Sequence, residues 1–138
     1  MHTVEARVRV RYAETDQMGV VYHANYFIWM EVGRVEFCRA AGIRYRDMEI
    51  HDGVRLVVAE ANCRYASSAL YDDEVAIRTS IGLSTPRLVR FDYEIADAAS
   101  GRLIASGFTK HIFCDAQLKR SRLPEKYWKQ FRIAASEA

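Results

Sequence analysis

The residues with the clearest chemical potential lie in one short segment near the N-terminus. One carboxylate, Asp16, one glycine, Gly19, and one histidine, His23, fall within eight consecutive positions. An alternating, strand-like pattern precedes them, and an apolar, helix-like pattern comes after them. A carboxylate between a strand end and a helix start can face the positive end of the helix, where free backbone N–H groups polarise a carbonyl. The segment therefore suggests acyl transfer.

Hydrophobic periodicity predicts the elements that position this segment. Apolar and charged residues alternate from Val4 to Tyr12, which predicts a half-buried strand. From about residue 23 to residue 41 a charge-free stripe recurs at helical spacing, and Gly42 supplies a C-terminal stop. Four more strands and a short amphipathic helix complete the pattern. Their predicted bounds are Arg55–Tyr65, Glu74–Leu83, Val89–Ile95 and Leu103–Cys114 for the strands, and about Glu125–Arg132 for the helix.

This order predicts an α+β fold in one domain that spans residues 1–138. One antiparallel sheet must cover the long helix, since no other element is long enough to do so. In a single copy, the sheet edges and the far side of the apolar helix would stay exposed. Dimerisation that extends the sheet would cover both, so we expect a homodimer or a homotetramer.

Composition argues against several classes of protein. Twenty basic and eighteen acidic residues give a formal net charge of +2, which is too balanced to indicate a nucleic-acid partner. The three cysteines form no C-x-x-C and the four histidines are scattered, so neither a disulfide framework nor a metal site is indicated. No stretch is long and apolar enough to span a bilayer, and the N-terminus lacks the apolar core of a signal peptide. We therefore expect a cytoplasmic protein, and no motif indicates a cofactor.

One extended motif resembles a known family. The spacing Tyr12-x-x-x-Asp16-x-x-Gly19-x-x-x-His23-x-Asn25-Tyr26, with Trp29 and Arg34-x-Glu36 after it, closely resembles the 4-hydroxybenzoyl-CoA thioesterase branch of the hotdog fold. This branch includes the small acyl-CoA thioesterases linked to the bacterial Tol-Pal system. The likeness runs from about Arg7 to Phe131. It implies a five-stranded antiparallel sheet wrapped around a long central helix, in the order β-α-β-β-β-β.

The resemblance also implies an activity and an assembly. The activity is hydrolysis of an acyl-CoA substrate to a free acid and CoA, without a cofactor. The family forms dimers, often paired into tetramers, with active sites at the subunit interface. Asp16 matches the catalytic carboxylate, and His23 matches the position at the helix start whose backbone N–H binds the thioester oxygen. Gly19 and Tyr22 shape the loop, and Arg87 matches a region that meets the CoA phosphates.

The same residues have structural alternatives. Asp16 can be a turn or helix-capping residue, although the resemblance favours catalysis, either as a nucleophile or as a general base. Asn25 can cap the helix or hold the Asp16 loop in place. Tyr26 and Trp29 can line an acyl pocket, but core packing is the expected role for most of the apolar stripe. Glu31 is a reserve catalytic carboxylate, and we expect it to pair with Arg34 at i, i+3.

The sequence departs from the family pattern at two positions, and three other functions are compatible with it. Ser68 stands where many members carry proline, and Leu88 stands beside Arg87 where several carry serine. A thioesterase acting on a carrier-protein-bound acyl or polyketide chain would use the same framework. A non-catalytic acyl-CoA binding module is a second possibility. A hotdog dehydratase ranks below both, because the His-Phe-Pro context of such enzymes is absent around His23.

Overall fold

The computed structural model of the chain describes residues 2–134. Five strands form one antiparallel sheet in the order β1-β3-β4-β5-β2, and a long helix lies across it. This arrangement confirms the predicted α+β architecture. The strands are β1 (Val4–Arg9), β2 (Arg55–Tyr65), β3 (Glu74–Ser84), β4 (Leu88–Asp97) and β5 (Leu103–Cys114); the helices are α1 (Asn25–Ala40) and α2 (Tyr45–Asp52), with single 3-10 turns at Tyr12–Glu14 and Glu125–Tyr127.

The core lies between α1 and the concave face of the sheet. Helix α1 packs mainly on β1 and β3, and its buried side chains include Trp29, Met30 and Phe37. Gly33 allows the closest approach, because an added Cβ there would overlap Thr79 Oγ1 and lie 2.8 Å from Ile77 Cγ2. The opposite face of the sheet carries mostly charged and polar side chains. The apolar stripe predicted from the sequence is thus the face that α1 turns to the sheet.

Two helical predictions differ from the structure. Helix α2 is not predicted by the sequence pattern, because its sequence is polar and Met48 is its one buried residue. Gly53, with a φ of 66°, follows the last residue of this helix. The amphipathic helix predicted at about Glu125–Arg132 is wrong beyond its first turn. Trp128, Phe131 and Ile133 are all buried, but residues 128–132 form successive turns, and the Ile133 N–H returns five residues to Trp128 O at 2.8 Å. A left-handed residue at Arg132, with a φ of 60°, closes the segment instead.

The first strand is also shorter than predicted. Strand β1 ends at Arg9, and Tyr12 lies in a 3-10 turn with 78% of its surface exposed. Among the described residues, no helix combines the length and apolarity needed to cross a membrane.

Candidate active site

Asp16 lies in a closed turn formed by residues 16–20. Its backbone N–H donates to the Val20 carbonyl at 2.8 Å, and its own carbonyl accepts the Gly19 N–H at 2.9 Å. One carboxylate oxygen, Oδ1, accepts the Met18 N–H at 2.9 Å. The other oxygen, Oδ2, has no hydrogen-bond partner among residues 2–134. One carboxylate oxygen of Asp16 therefore serves as the turn acceptor that the structural alternative required. The other carboxylate oxygen stays available.

The same turn occurs a second time in the chain, at residues 115–119. Asp115 N–H donates to Lys119 O, Asp115 O accepts Leu118 N–H, and Asp115 Oδ1 accepts the Gln117 N–H at 2.9 Å. Leu118 has a φ of 62° at the position that matches Gly19, whose φ is 85°. A side chain is thus tolerated at this point of the turn. The turn alone therefore does not require a glycine at position 19.

Glu14 fixes the Asp16 loop to helix α1. Its backbone carbonyl accepts both the Tyr22 N–H and the Asn25 Nδ2–H, each at 2.9 Å. Its buried carboxylate accepts the Trp29 Nε1–H at 3.0 Å and the Arg11 backbone N–H at 2.8 Å. The Glu14 carboxylate thus holds the start of the loop at Arg11, and the Glu14 carbonyl holds its end at Tyr22 and Asn25.

These contacts decide between the two roles considered for Asn25. The residue before α1 is Ala24, and no side chain of the described residues caps the helix. Asn25 instead holds the loop through its bond to Glu14. The capping alternative is therefore wrong. Sequence reasoning missed Glu14 as a site residue, although an acidic residue two positions before Asp16 was visible.

Burial raises the pKa of Glu14, but hydrogen bonds from the Arg11 backbone, the Arg11 guanidinium and Trp29 outweigh burial. They hold the pKa of Glu14 below its usual value. Glu14 thus carries a negative charge close to the start of α1. A negative charge is favourable beside the positive end of a helix.

Helix α1 begins at Asn25, two residues later than predicted. The Asn25 N–H donates to Tyr22 O at 2.9 Å, and the next two N–H groups turn back to His23 O and Ala24 O at 3.4 and 3.2 Å. Within the described part of the chain, the N–H groups of His23 and Ala24 donate to no other group. Such free N–H groups at a helix start are ready donors to an oxyanion.

Aromatic side chains surround the helix start. The His23 ring lies 4.5 Å from the Tyr22 ring and 6.3 Å from the Tyr65 ring, measured between centroids. Tyr65 donates its hydroxyl to His23 O at 3.1 Å. Burial and the Cys63 thiol raise the pKa of Tyr65 to about 12, so the hydroxyl stays protonated and keeps this bond. Sequence reasoning places Tyr65 in a strand and does not assign it to the site.

The aromatic residues near the helix start divide into two groups. Tyr26 and Trp29 are each only 2% exposed and pack on each other at 5.1 Å, so they belong to the core. Tyr22 and Tyr65 are each about half exposed and flank His23 at the surface.

Arg87 lies at a different place, among other basic residues. Leu123 N–H donates to Pro86 O at 2.9 Å, and Phe113 N–H donates to Arg87 O at 3.1 Å. These bonds place the basic run Lys119-Arg120-Ser121-Arg122 beside Arg87. We call this set the basic surface; its members are Arg87, Lys119, Arg120 and Arg122, all exposed, and none forms an ion pair with another described residue. No hydrogen bond joins it to the Asp16 loop within the described residues.

No hydrogen bond joins Glu31 to the Asp16 loop within residues 2–134. The ion pair expected between Glu31 and Arg34 is absent from the described structure, because the Arg34 guanidinium turns inward and donates to the Tyr93 hydroxyl at 3.4 Å. Three cavities of about 420 to 650 Å³ are lined by residues other than Asp16 and His23. Among residues 2–134, no group of three or more His, Cys, Asp or Glu side chains is placed to hold a metal ion.

Residues 10–131 match the family model of the thioesterase-like superfamily. The chain belongs to this superfamily. It is 38% identical over 131 residues to a Bacillus subtilis protein named "Putative acyl-CoA thioesterase YneP", covering 95% of this chain and 91% of that protein. The resemblance found in the sequence and the hotdog fold that it implied are thereby confirmed.

Solved structures of similar fold agree with this assignment. The DHNA-CoA thioesterase of Staphylococcus aureus has a TM-score of 0.89 and 32% identity, covering 96% of this chain and 89% of that one. A 4-hydroxybenzoyl-CoA thioesterase mutant solved with 4-hydroxybenzoyl-CoA has a TM-score of 0.85 at 17% identity, covering 94% of this chain and 98% of that one. The second likeness concerns the fold alone.

Replacing Glu14 tests its role as the anchor of the loop. Glu14→Ala removes the acceptor of two N–H groups, and we expect unfolding free energy to fall by about 1–3 kcal/mol. Because the folded pKa of Glu14 is lowered, its contribution is present above its ordinary value of 4.5 and is lost as the pH falls through the folded pKa. Glu14→Gln should therefore weaken the loss of stability in acid, measured by urea unfolding across pH. Glu94→Gln, an exposed carboxylate on the outer sheet face, is the control; an equal change in both variants contradicts the role.

Replacing Gly19 separates backbone strain from function. Gly19 and Gly42 have φ values of 85° and 87°, and no atom of residues 2–134 lies within 4 Å of an added Cβ at either glycine. Gly19→Val and Gly42→Val should therefore each lose about 1–2 kcal/mol of stability to the left-handed backbone. Only Gly19→Val should also lose thioesterase activity, assayed at a temperature where both variants are folded. Full turnover by a folded Gly19→Val protein would refute a ligand-facing role for this glycine.

Proposed function

We propose that this protein hydrolyses acyl-CoA thioesters, with Asp16 as the nucleophile or general base and the start of α1 as the oxyanion site. One observation carries the proposal. Asp16 has a carboxylate oxygen free of any partner among the described residues, in a loop that hydrogen bonds attach to a helix start, and that start offers two free N–H groups. A base or nucleophile and an oxyanion site are the two components that thioester hydrolysis needs.

The reaction converts R–CO–S–CoA and water into a carboxylate, CoA thiol and a proton. Asp16 either attacks the thioester carbon, giving a mixed anhydride that water then hydrolyses, or takes a proton from the water that attacks. In both routes the carbonyl oxygen gains negative charge. The N–H groups of His23 and Ala24 would stabilise that charge, and each such donor typically contributes about 3 kcal/mol.

The His23 side chain has a secondary part in this proposal. It is exposed between Tyr22 and Tyr65, where it could contact the substrate. CoA thiolate is a comparatively good leaving group, so an acid is not required to expel it. The main contribution of this residue would then be its backbone N–H, which the Tyr65 bond to His23 O helps to orient.

The names of similar proteins bear on the substrate class. They include a DHNA-CoA thioesterase and a gentisyl-coenzyme A thioesterase, at 32% and 27% identity. An aromatic acyl group is therefore the first class to test. The exposed Tyr22 and Tyr65 rings at the helix start would provide apolar faces for such a group.

We further propose that the basic surface binds the phosphates of CoA and that the working unit is a homodimer or homotetramer. Four exposed cations without ion pairs among the described residues suit a polyanion. Because nothing joins this surface to the Asp16 loop within the described part of one chain, a second copy would bring the two together. Strand β2 lies at a sheet edge with Val57 and Val58 exposed, which suits pairing with another copy.

Replacing Asp16 tests the catalytic assignment. Asp16→Asn keeps the turn, because an amide oxygen can still accept the Met18 N–H, but it removes the charge. We expect kcat to fall by about 10²–10⁴-fold, with the melting temperature unchanged. The measurement is thiol release from aromatic, short-chain and long-chain acyl-CoAs.

Asp115→Asn is the matched control, since Asp115 occupies the same turn. It should retain full activity. Full activity in Asp16→Asn would remove Asp16 from the mechanism. Wild-type protein that is folded, binds acyl-CoA and hydrolyses none of the esters would instead indicate a non-catalytic binding module.

Replacing Arg87 tests the binding of the CoA phosphates. Arg87→Gln should raise KM for acyl-CoA about tenfold, because a charge-assisted phosphate contact is lost, and should leave kcat unchanged. The thioester of pantetheine lacks the nucleotide, so its turnover should not respond. Arg64→Gln removes an exposed charge from the outer sheet face and serves as the control. An equal response with both substrates contradicts the assignment, and faster turnover of acyl-carrier protein than of acyl-CoA favours the carrier-protein alternative.

A further inference from the structure

Arg34 is a half-buried cation whose neighbours on the core side, Cys38, Tyr45 and His111, are neutral. Its guanidinium donates to the Tyr93 hydroxyl, and its Nε–H is buried without a hydrogen-bond partner among residues 2–134. Burial raises the pKa of Cys38 and of Tyr45 to about 12, so both stay protonated. Burial and the Arg34 charge lower the pKa of His111 to about 4, so this ring is neutral as well. No described carboxylate lies within 4 Å of the Arg34 nitrogens.

A charge taken out of water is costly unless it is paired. The ion pair with Glu31 that the helical spacing predicted would have met this need, but it does not form. A counter-charge supplied from outside the chain would meet it instead. The position of Arg34 shows where that charge would enter.

Arg34 lines a cavity of about 530 Å³ between α1 and α2. The cavity also contains Arg46, which is exposed and has no ion pair among the described residues. Two more arginines reach the cavity, but each has a carboxylate partner: Arg39 pairs with Glu36, and Arg44 lies 3.6 Å from Asp47. Two carboxylates, Glu31 and Glu49, also line the cavity.

The ionic character of the cavity favours one class of anion. Arg34 and Arg46 present two guanidinium groups without ion pairs among the described residues, and each can make the paired N–H bonds that match the oxygens of a phosphate group. Glu31 and Glu49, which also line the cavity, would repel a diffuse anion, so a ligand must contact the guanidinium groups directly. The volume exceeds that of one phosphate and is bounded by Val35 and Ile43 on its apolar side. A phosphate group attached to a small organic body therefore fits as well as free phosphate.

We propose that the cavity between α1 and α2 is a phosphate-binding site formed by Arg34 and Arg46. It is separate from the Asp16 loop and from the basic surface, so it does not depend on the proposed thioesterase activity. A ligand that binds only the folded protein stabilises it, and the stabilisation grows with concentration. Phosphate would therefore hold α2 against α1.

Binding of inorganic phosphate and of AMP, measured by calorimetry in a phosphate-free buffer at neutral pH, tests the proposal. Sodium chloride at equal ionic strength is the reference for charge screening. We expect saturable binding of at least one probe and a melting temperature that rises with its concentration. Binding of inorganic phosphate identifies a site for free phosphate, and binding of AMP alone identifies a site for a phosphate ester.

Two variants locate the binding. Arg46→Gln should raise the Kd about tenfold, because one guanidinium contact to the phosphate group is lost. Since Arg46 is exposed, the fold should be unaffected. Arg34→Lys keeps a positive charge but loses the planar fork, and it should weaken the Kd comparably. Arg64→Gln lowers the net charge equally, far from the cavity, and should bind as the wild type does. Arg46→Gln should also keep wild-type thiol release in phosphate-free buffer.

Three results would overturn the proposal. The first is the absence of saturable binding of either probe to the wild type. The second is equal weakening in Arg46→Gln and Arg64→Gln, which would show general charge attraction. The third is binding that disappears as protein concentration and self-association rise, which would show that carboxylates of a second copy occupy the cavity.

Discussion

The hydrogen bonds to Glu14 are the interaction on which the candidate site depends. The segment from Tyr12 to Asn25 contains no regular strand or helix beyond a single turn, and ordering such a segment costs about 1–2 kcal/mol of backbone entropy per residue. Glu14 offsets part of this cost at two places, through its carbonyl and through its carboxylate. Because its partners include Asn25 and Trp29 on α1, the loop is fixed relative to the helix. These bonds therefore tie the loop that carries Asp16 to the first turns of α1.

A second polar network crosses the core beneath the helix. Arg34 donates to the Tyr93 hydroxyl, which lies 2.6 Å from Thr109 Oγ1, and Thr109 in turn lies 2.8 Å from His111 Nε2. Such chains are favourable only when their members are satisfied. The end within the sheet is satisfied, since His111 Nδ1 lies 3.3 Å from Leu56 O. The end at the cavity is not, because the Arg34 Nε–H has no partner among the described residues. The unsatisfied end of the network thus belongs to Arg34, a residue that also lines the cavity between α1 and α2.

The features predictable from the sequence were those that have a local pattern. The five strands and α1 were predictable because alternation and a helical apolar stripe are visible over many consecutive residues. Asp16, Gly19 and His23 stand out because their spacing falls between two such patterns. Helix α2 has only one buried residue, so periodicity could not reveal it. The inward turn of Arg34 depends on Tyr93, which is 59 residues away, and the role of Glu14 depends on Trp29. Contacts at such separations leave no trace in a local pattern.

The two aspartate turns show why a site cannot be assigned from a turn alone. Asp16 and Asp115 make the same two backbone hydrogen bonds, each accepts the N–H two residues ahead through Oδ1, and both residues are half-buried. They differ in the segments to which they connect. The first turn leads within a few residues to the start of a sixteen-residue helix with free N–H groups, whereas the second leads to an extended segment along β5. The Asp115 Oδ1 also accepts a second N–H, from Lys119 at 3.0 Å, while the Asp16 carboxylate accepts only one from the described residues. Under the proposed function, the spare acceptor capacity of Asp16 and the free N–H groups of His23 and Ala24 would act on the same thioester, whereas the Asp115 carboxylate would only hold its turn.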